Sequence, residues 1–91
     1  MFNINNQDYK LIKNYRDAFD IEDVKDKVTD YYSDYDYIVG DIAYNKLRLK
    51  GFYSEKNKKV KGLNNIINLD NYLKEFCAPD CKYFVLEKVI K

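Results

Sequence analysis

The sequence predicts an α+β fold, in which two helices cover one side of a small, mostly antiparallel sheet in the order β-β-α-β-β-α-β. Three observations support this prediction. Runs rich in β-branched and aromatic residues alternate with two amphipathic stretches of helical period. The 91 residues include only three glycines and one proline, so no flexible linker divides them. The hydrophobic fraction of 46% is enough for a core. We therefore expect a single compact domain over residues 1–91.

The N-terminal half predicts a hairpin, a helix and a strand. The sequence predicts a hairpin of alternating residues at 2–13, an amphipathic helix at 21–33 and a β-rich strand at 35–39. Asp20 precedes the helix and is a suitable N-cap, because a carboxylate accepts hydrogen bonds from the free N–H groups of the first turn. We expect Gly40 and Asp41 to turn the chain after the β-rich run.

The C-terminal half predicts two further strands and a second helix. The sequence predicts a strand at residues 44–53 and a basic loop at 54–62. A helix at 69–76 and a closing strand at 83–90 follow. Asn68 is the expected cap of this helix, and Pro79 forbids its continuation. Its expected buried stripe consists of Leu69, Tyr72, Leu73 and Phe76. The apolar run at residues 83–86 predicts a central position for the closing strand.

Charge is segregated along the chain, although the net charge is only +1. Residues 17–41 contain nine acidic and two basic side chains, whereas residues 46–61 contain seven basic side chains and one acidic side chain. The two segments therefore carry opposite charges of similar size. This pattern indicates charged partners, self-association, or compensation within the fold, of which compensation is favoured.

The strand predicted at residues 44–53 has one basic face. Period-2 alternation places Leu47 and Leu49 on the core side and a cationic row with an aromatic ring at each end on the other. Such a row can hold phosphates while its rings stack on bases. With two lysines of the following loop, the candidate residues for binding nucleic acid or another anion are Tyr44, Lys46, Arg48, Lys50, Phe52, Lys58 and Lys59.

No set of residues specifies a reaction or a metal site. The sequence has no histidine, which removes the commonest general base and the commonest metal ligand. Asp34, Asp36 and Asp41 bracket a predicted strand without the spacing of a known cation site, so we assign them structural roles, with Asp41 bonded within the turn. We therefore predict no enzyme activity, no catalytic residues, no bound metal and no cofactor.

The two cysteines, Cys77 and Cys81, supply only half of a zinc site. The sequence shows neither a signal-peptide pattern nor an apolar membrane span, so we expect a cytoplasmic protein that does not enter a membrane. In that compartment we expect both cysteines to be reduced structural thiols. A redox-sensitive pair is the alternative.

Five segments resemble the YutD-like family, a group of small uncharacterised proteins from Gram-positive bacteria of low genomic GC content. They are NYRDAF (14–19), YDYIVGD (35–41), LRLKGFY (47–53), LDNYLKEFC (69–77) and CKYFVLEK (81–88). The resemblance implies a compact α+β domain and no established activity, so no catalytic residue carries over. Two loops depart from the family pattern, because Ile42-Ala43 replaces an aromatic and a glycine, and residues 78–80 replace Asn-Phe-Gly.

The expected function is that of a non-catalytic binding module. It would contact RNA, single-stranded nucleic acid or another anionic partner through residues 44–52 and the loop 54–62, with the acidic segment 17–41 facing away from the phosphates. The alternative is a protein-interaction or regulatory adaptor that binds a protein partner through its segregated acidic and basic surfaces.

Overall fold

The computed structural model describes residues 1–76 and 81–90. Within these ranges, the strands and α-helices follow the predicted order β-β-α-β-β-α-β. The strands are Phe2–Ile4 (β1), Gln7–Tyr15 (β2), Tyr37–Ala43 (β3), Lys46–Phe52 (β4) and Lys82–Lys88 (β5). The α-helices are Ile21–Lys27 (α1) and Leu69–Phe76 (α2). The α+β class is therefore confirmed. In the described part of the chain, no helix is long and apolar enough to cross a membrane.

The strands form one antiparallel sheet in the spatial order β1-β2-β5-β3-β4. The closing strand β5 lies between β2 and β3, so its predicted central position is confirmed. Its neighbours fix its register, with Leu86 opposite Leu11 on one side and opposite Ile38 on the other. At the far side of β3, β4 forms an edge of the sheet.

The two helices cover opposite faces of the sheet, so the expectation of one shared side is wrong. On one face, Val24 of α1 packs in a core with Phe84 and Leu86. On the other, Tyr72 of α2 packs against a second core that includes Val85. Phe84, Val85 and Leu86 are all buried. A strand that is apolar at consecutive positions needs cover on both faces, which explains why the helices divide.

Helix α1 is shorter than the predicted 21–33. Asp20 caps it as predicted, because its Oδ1 accepts a hydrogen bond of 3.0 Å from the backbone N–H of Glu22. After Lys27 the chain becomes extended at Val28, and a 3₁₀ helix follows over Asp30–Asp34. The β-branched residue Val28 is buried in this extended conformation, so burial of its side chain ends the helix early.

The second hairpin turns at a different place from that expected. Strand β3 continues through Gly40 and Asp41, and the turn consists of Tyr44 and Asn45, whose φ angles are 53° and 61°. Two consecutive left-handed residues form the type I′ turn that suits a two-residue hairpin. Gly40 is needed for a different reason, since a Cβ there would lie 2.1 Å from Cζ of the Phe84 ring.

Short 3₁₀ helices over Gly62–Asn64 and Ile66–Asn68 lead into α2. Asn65 caps the second of them, and the Asn68 side chain donates a hydrogen bond of 3.0 Å back to the Gly62 carbonyl. The predicted stripe of α2 is only partly buried. Leu69 and Tyr72 contact the second core, Leu73 is half-buried, and Phe76 is 55% exposed.

Candidate functional site

The candidate residues of the basic strand lie at the β4 edge of the sheet. Lys46, Arg48 and Lys50 follow one another along one face of β4, as the alternation predicts. Leu47 and Leu49 pack against the core on the opposite face. The predicted register of this strand is therefore confirmed, and it brings the three cations into one row.

The two aromatic rings at the ends of this row have different environments. Tyr44 lies in the hairpin turn and is 97% exposed. Phe52 is 1% exposed, and its ring packs edge-on against Tyr72 of α2 with centroids 5.4 Å apart. Because α2 covers this end of the strand, the Phe52 ring is not free to stack on a base, contrary to the sequence-based expectation.

Arg48 is anchored on both sides of its guanidinium. Its Nε and Nη2 atoms lie 2.7 Å from Oδ1 of Asp41, and Nη2 also donates to the backbone carbonyl of Phe76 at 2.7 Å. Asp41 is buried within β3 at 1% exposure rather than bonded within a turn, and its Oδ2 accepts a hydrogen bond from Tyr72. The hydrogen bond to Asp41 raises the pKa of Arg48. The guanidinium thus links the sheet to α2.

Lys50 is also held in place. Its Nζ lies 5.3 Å from the ring centroid of Phe52 and 5.8 Å from that of Tyr72. An ammonium at this distance is attracted by the electron-rich face of a ring. Two of the three cations on β4 therefore have fixed positions and serve the packing of α2 on the sheet.

An ion pair and hydrogen bonds to acidic side chains hold the basic loop after β4 in place. Lys59 lies 2.7 Å from Oδ2 of Asp34, whereas Oδ2 of Asp36 accepts hydrogen bonds from the Ser54 N–H and the Asn57 side chain. These contacts use Asp34 and Asp36 in structural roles. The acidic segment therefore lies against the basic one instead of facing away from it. Compensation within the fold, one of the interpretations of the charge segregation, is supported by these pairs.

We expect the Lys59–Asp34 contact to be measurable by titration. Hydrogen bonds from Lys59 and then Tyr53 lower the pKa of Asp34 below its ordinary value of 3.8. The contact therefore stabilises the fold above that value and is lost as the pH falls through the lowered pKa. Replacing Lys59 with glutamine should raise the pKa of Asp34 in a ¹³C NMR titration, whereas replacing the exposed Lys58 should not. Equal shifts in the two variants would contradict the contact.

A groove of about 420 Å³ runs along the outer edge of β4, and we call it the edge groove. Its walls come from both sides of the strand: Tyr31, Tyr32 and Tyr35 on one, and Tyr72 and Phe76 on the other. The rings of Tyr31 and Phe76 are 66% and 55% exposed. Sequence reasoning did not include these five rings among the candidate residues. The unusual number of tyrosines was the available signal, but their convergence depends on the strand order.

The remaining candidates do not join this groove. Lys58 and the ion-paired Lys59 lie on the loop after β4 and are absent from the groove lining, as are Tyr44, Lys46 and Phe52. Cys81 is disulfide-bonded, which contradicts the expected free thiol at this position. That expectation rested on the redox compartment and on the incomplete set of zinc ligands, neither of which determines the geometry of a cysteine pair. The other cysteine of the sequence, Cys77, lies outside the described residues, as does Pro79.

The fold and this edge define a small α+β protein whose antiparallel sheet is covered on both faces and open at one strand. The chain belongs to the family described as "Putative antitoxin YutD-like", whose profile matches residues 3–87. The protein "Putative antitoxin YutD" from Bacillus subtilis (strain 168) is 42% identical over 91 residues, which cover 100% of both chains. The solution NMR structure of protein yutD from B. subtilis matches with a TM-score of 0.83, covering 100% of this chain and 83% of that one. The resemblance seen in the sequence is confirmed.

Proposed function

We propose that the chain is a protein-interaction module that binds a protein partner and holds it inactive, with the edge groove as its contact surface. The observation that supports this proposal best is the composition of the groove, where exposed Tyr31 and Phe76 flank the anchored Arg48. Aromatic residues and arginine are enriched at protein interfaces and at their energetic centres. A role of this kind also fits the name of the B. subtilis relative, which describes an antitoxin.

The fixed geometry of the groove favours tight binding of a protein partner. Arg48 and Lys50 are already held by Asp41, Phe76 and Tyr72, so little side-chain freedom is lost on association. Immobilising a long side chain at an interface otherwise costs about 0.5–1.5 kcal/mol. Preorganised contacts of this kind therefore strengthen binding without any new interaction.

The same contacts make nucleic acid a less suitable partner. A phosphate backbone needs cations that exchange counterions for phosphate, but Arg48 and Lys59 each already pair with a carboxylate. Asp23 and Asp26 of α1 line the surface beside Lys46, where they would repel phosphates. In addition, the Phe52 ring is buried and unavailable for stacking. Protein binding therefore explains the arrangement better than RNA binding.

A capture experiment tests this function. Immobilised protein should retain a partner from the lysate of its own cell, and nuclease treatment should not release it. With that partner purified, Lys50→Glu should weaken binding by ~10-fold, because Lys50 lines the edge groove and a charge reversal at an interface costs about 1.4 kcal/mol or more. Lys13→Glu is the matched control, since Lys13 is an exposed cation on β2, three strands away, and should leave the affinity unchanged.

Three results would overturn the proposal. The first is a partner that nuclease removes, together with salt-sensitive binding of short RNA or DNA strands at micromolar protein, which would restore the nucleic-acid interpretation. The second is equal weakening by Lys50→Glu and Lys13→Glu, which would place the contact outside the edge groove. The third is capture of no protein at all.

A further inference from the structure

The backbone at the edge of β4 is open to a further strand. Tyr53 uses its outward-facing N–H and carbonyl to bond Asn64 and Ile66. Because backbone groups alternate in direction along a strand, the N–H and carbonyl of Leu47, Leu49 and Gly51 also face away from β3. Among the described residues, no strand pairs with this stretch. Gly51 is buried, so Leu47 and Leu49 present up to four unpaired hydrogen-bonding groups in a line among the described residues.

The two faces of this edge differ in chemistry. On the α1 side, Leu47 and Leu49 are only half-buried, so apolar surface stays uncovered next to the open backbone. On the α2 side, the row of Lys46, Arg48 and Lys50 runs along the same stretch. A strand placed here would have its alternate side chains beside leucines on one face and beside cations on the other.

A second copy of this chain fits the edge poorly. In an antiparallel pair of β4 strands centred on Leu49, Arg48 of one copy would face Lys50 of the other. Shifting the register by two residues places other cations of the row opposite each other. Like charges directly opposite in a sheet are destabilising, and lysines on an edge strand are a known protection against self-pairing.

We infer that the partner docks by strand addition: an extended segment with acidic side chains on one face and apolar side chains on the other pairs with the outer edge of β4. This inference rests on the proposed function and adds the chemistry of the partner. A glutamate or aspartate of the segment lies opposite Lys50, whose ammonium faces rings rather than a carboxylate, and the apolar residues of the segment cover Leu47 and Leu49. The edge groove, bounded by rings on both sides, receives the backbone of the segment.

Amide hydrogen exchange tests the inference directly. The probe is a capped peptide of alternating glutamate and valine with seven residues, the length of β4. In the free protein, the amides of Leu47 and Leu49 should exchange fast, whereas those of Arg48 and Lys50, which bond β3, should be protected. Saturating peptide should slow the two outward amides by ~10-fold or more, because they become hydrogen-bonded. A peptide with lysine in place of glutamate should have no effect.

A pair of variants separates backbone pairing from side-chain contact. Leu47→Pro removes one outward N–H, and proline is tolerated on an edge strand when its missing N–H faces solvent. Leu47→Ala removes the same packing but keeps the N–H. We expect the proline variant to bind the peptide ~10-fold more weakly than the alanine variant, the loss of about one hydrogen bond. If the proline variant does not fold, the exchange pattern of the unmodified protein decides.

Several outcomes would overturn the inference. They are binding of the acidic peptide without protection of the Leu47 and Leu49 amides, no binding of that peptide, and equal binding of the lysine peptide. Concentration-dependent dimerisation that protects the same amides without peptide would show that a second copy occupies the edge. A captured protein partner that leaves these amides unprotected would remove strand addition but retain the proposed function, so the two failures are distinguishable.

Discussion

Replacing Gly40 with alanine is expected to destabilise the protein by about 3 kcal/mol, at the upper end of the range for overpacked cores. The added Cβ would lie 2.1 Å from Cζ and 2.3 Å from Cε2 of Phe84. That ring cannot withdraw easily, since it is 0% exposed and packs edge-on against Phe19 with centroids 5.2 Å apart. The methyl group must therefore displace either the ring or the backbone of β3.

The other two glycines of the chain are the controls for this substitution. Gly62→Ala meets nothing within 4 Å and should change the free energy of unfolding by less than ~0.5 kcal/mol. Gly51→Ala places its Cβ 2.3 Å from the Tyr35 ring, but that ring is only half-buried and can move, so an intermediate loss is expected. Chemical denaturation measures the free energy of unfolding of all three glycine variants. Equal losses for Gly40→Ala and Gly62→Ala would contradict the close packing of Phe84 on β3.

Arg48→Ala should destabilise the fold by about 3 kcal/mol, the lower end of the range for breaking a buried ion pair. The lower end applies because the Arg48 side chain is 45% exposed, whereas that of Asp41 is 1% exposed. Without Arg48, the Asp41 carboxylate stays buried with the 3.4 Å hydrogen bond from Tyr72 but with no cationic partner among the described residues. The carbonyl of Phe76 also loses its donor, so α2 should loosen from the sheet.

Two further variants identify the buried charge as the cause. Asp41→Ala combined with Arg48→Ala should lose less stability than the sum of the two single changes, because residues that form a pair are not additive. Lys46→Ala removes an exposed cation from the same face of β4 and should cost less than ~0.5 kcal/mol. Similar losses for Lys46→Ala and Arg48→Ala would show that the ion pair does not stabilise the fold.

Local patterns were enough to predict the order of the strands and helices, the register of β4 and the central position of β5. The alternation of Leu47 and Leu49 with the cations determined the register of β4, because burying three charges would be very costly. The apolar run of β5 indicated a central strand, since only a strand covered on both faces needs consecutive apolar side chains. The alternation of β4 and the apolar run of β5 are each a property of a single strand, so they can be recognised without knowing which strands lie beside it.

Tertiary contacts decided what local patterns did not reveal. Gly40-Asp41 has the composition of a turn, yet the Phe84 ring requires a glycine at that position of β3 and Arg48 requires the carboxylate. The burial of Phe52 likewise depends on where α2 settles, and nothing in the sequence of β4 specifies that position. The sequence of each segment alone was used to interpret Gly40, Asp41 and Phe52. Their roles depend on contacts with Phe84, Arg48 and α2, which lie in other segments.

The candidate site was predictable only in part for the same reason. Its cations lie on one strand and share a face, so the alternation located them. Its aromatic walls come from the 3₁₀ helix Asp30–Asp34 and from α2, which are about 40 residues apart in sequence and meet at β4 only through the strand order. Local sequence patterns carry no information about contacts between segments that are so far apart in the chain.

The position of β5 has a consequence for how the protein folds as it is synthesised. The strand latest in the sequence lies between the two hairpins, with β2 on one side and β3 on the other. Until residues 82–88 have left the ribosome, β1–β2 and β3–β4 are separate two-stranded units, which are marginally stable in water. The nascent chain must therefore keep the edges of β2 and β3 unpaired until β5 arrives, and unpaired strand edges of this kind are prone to aggregation.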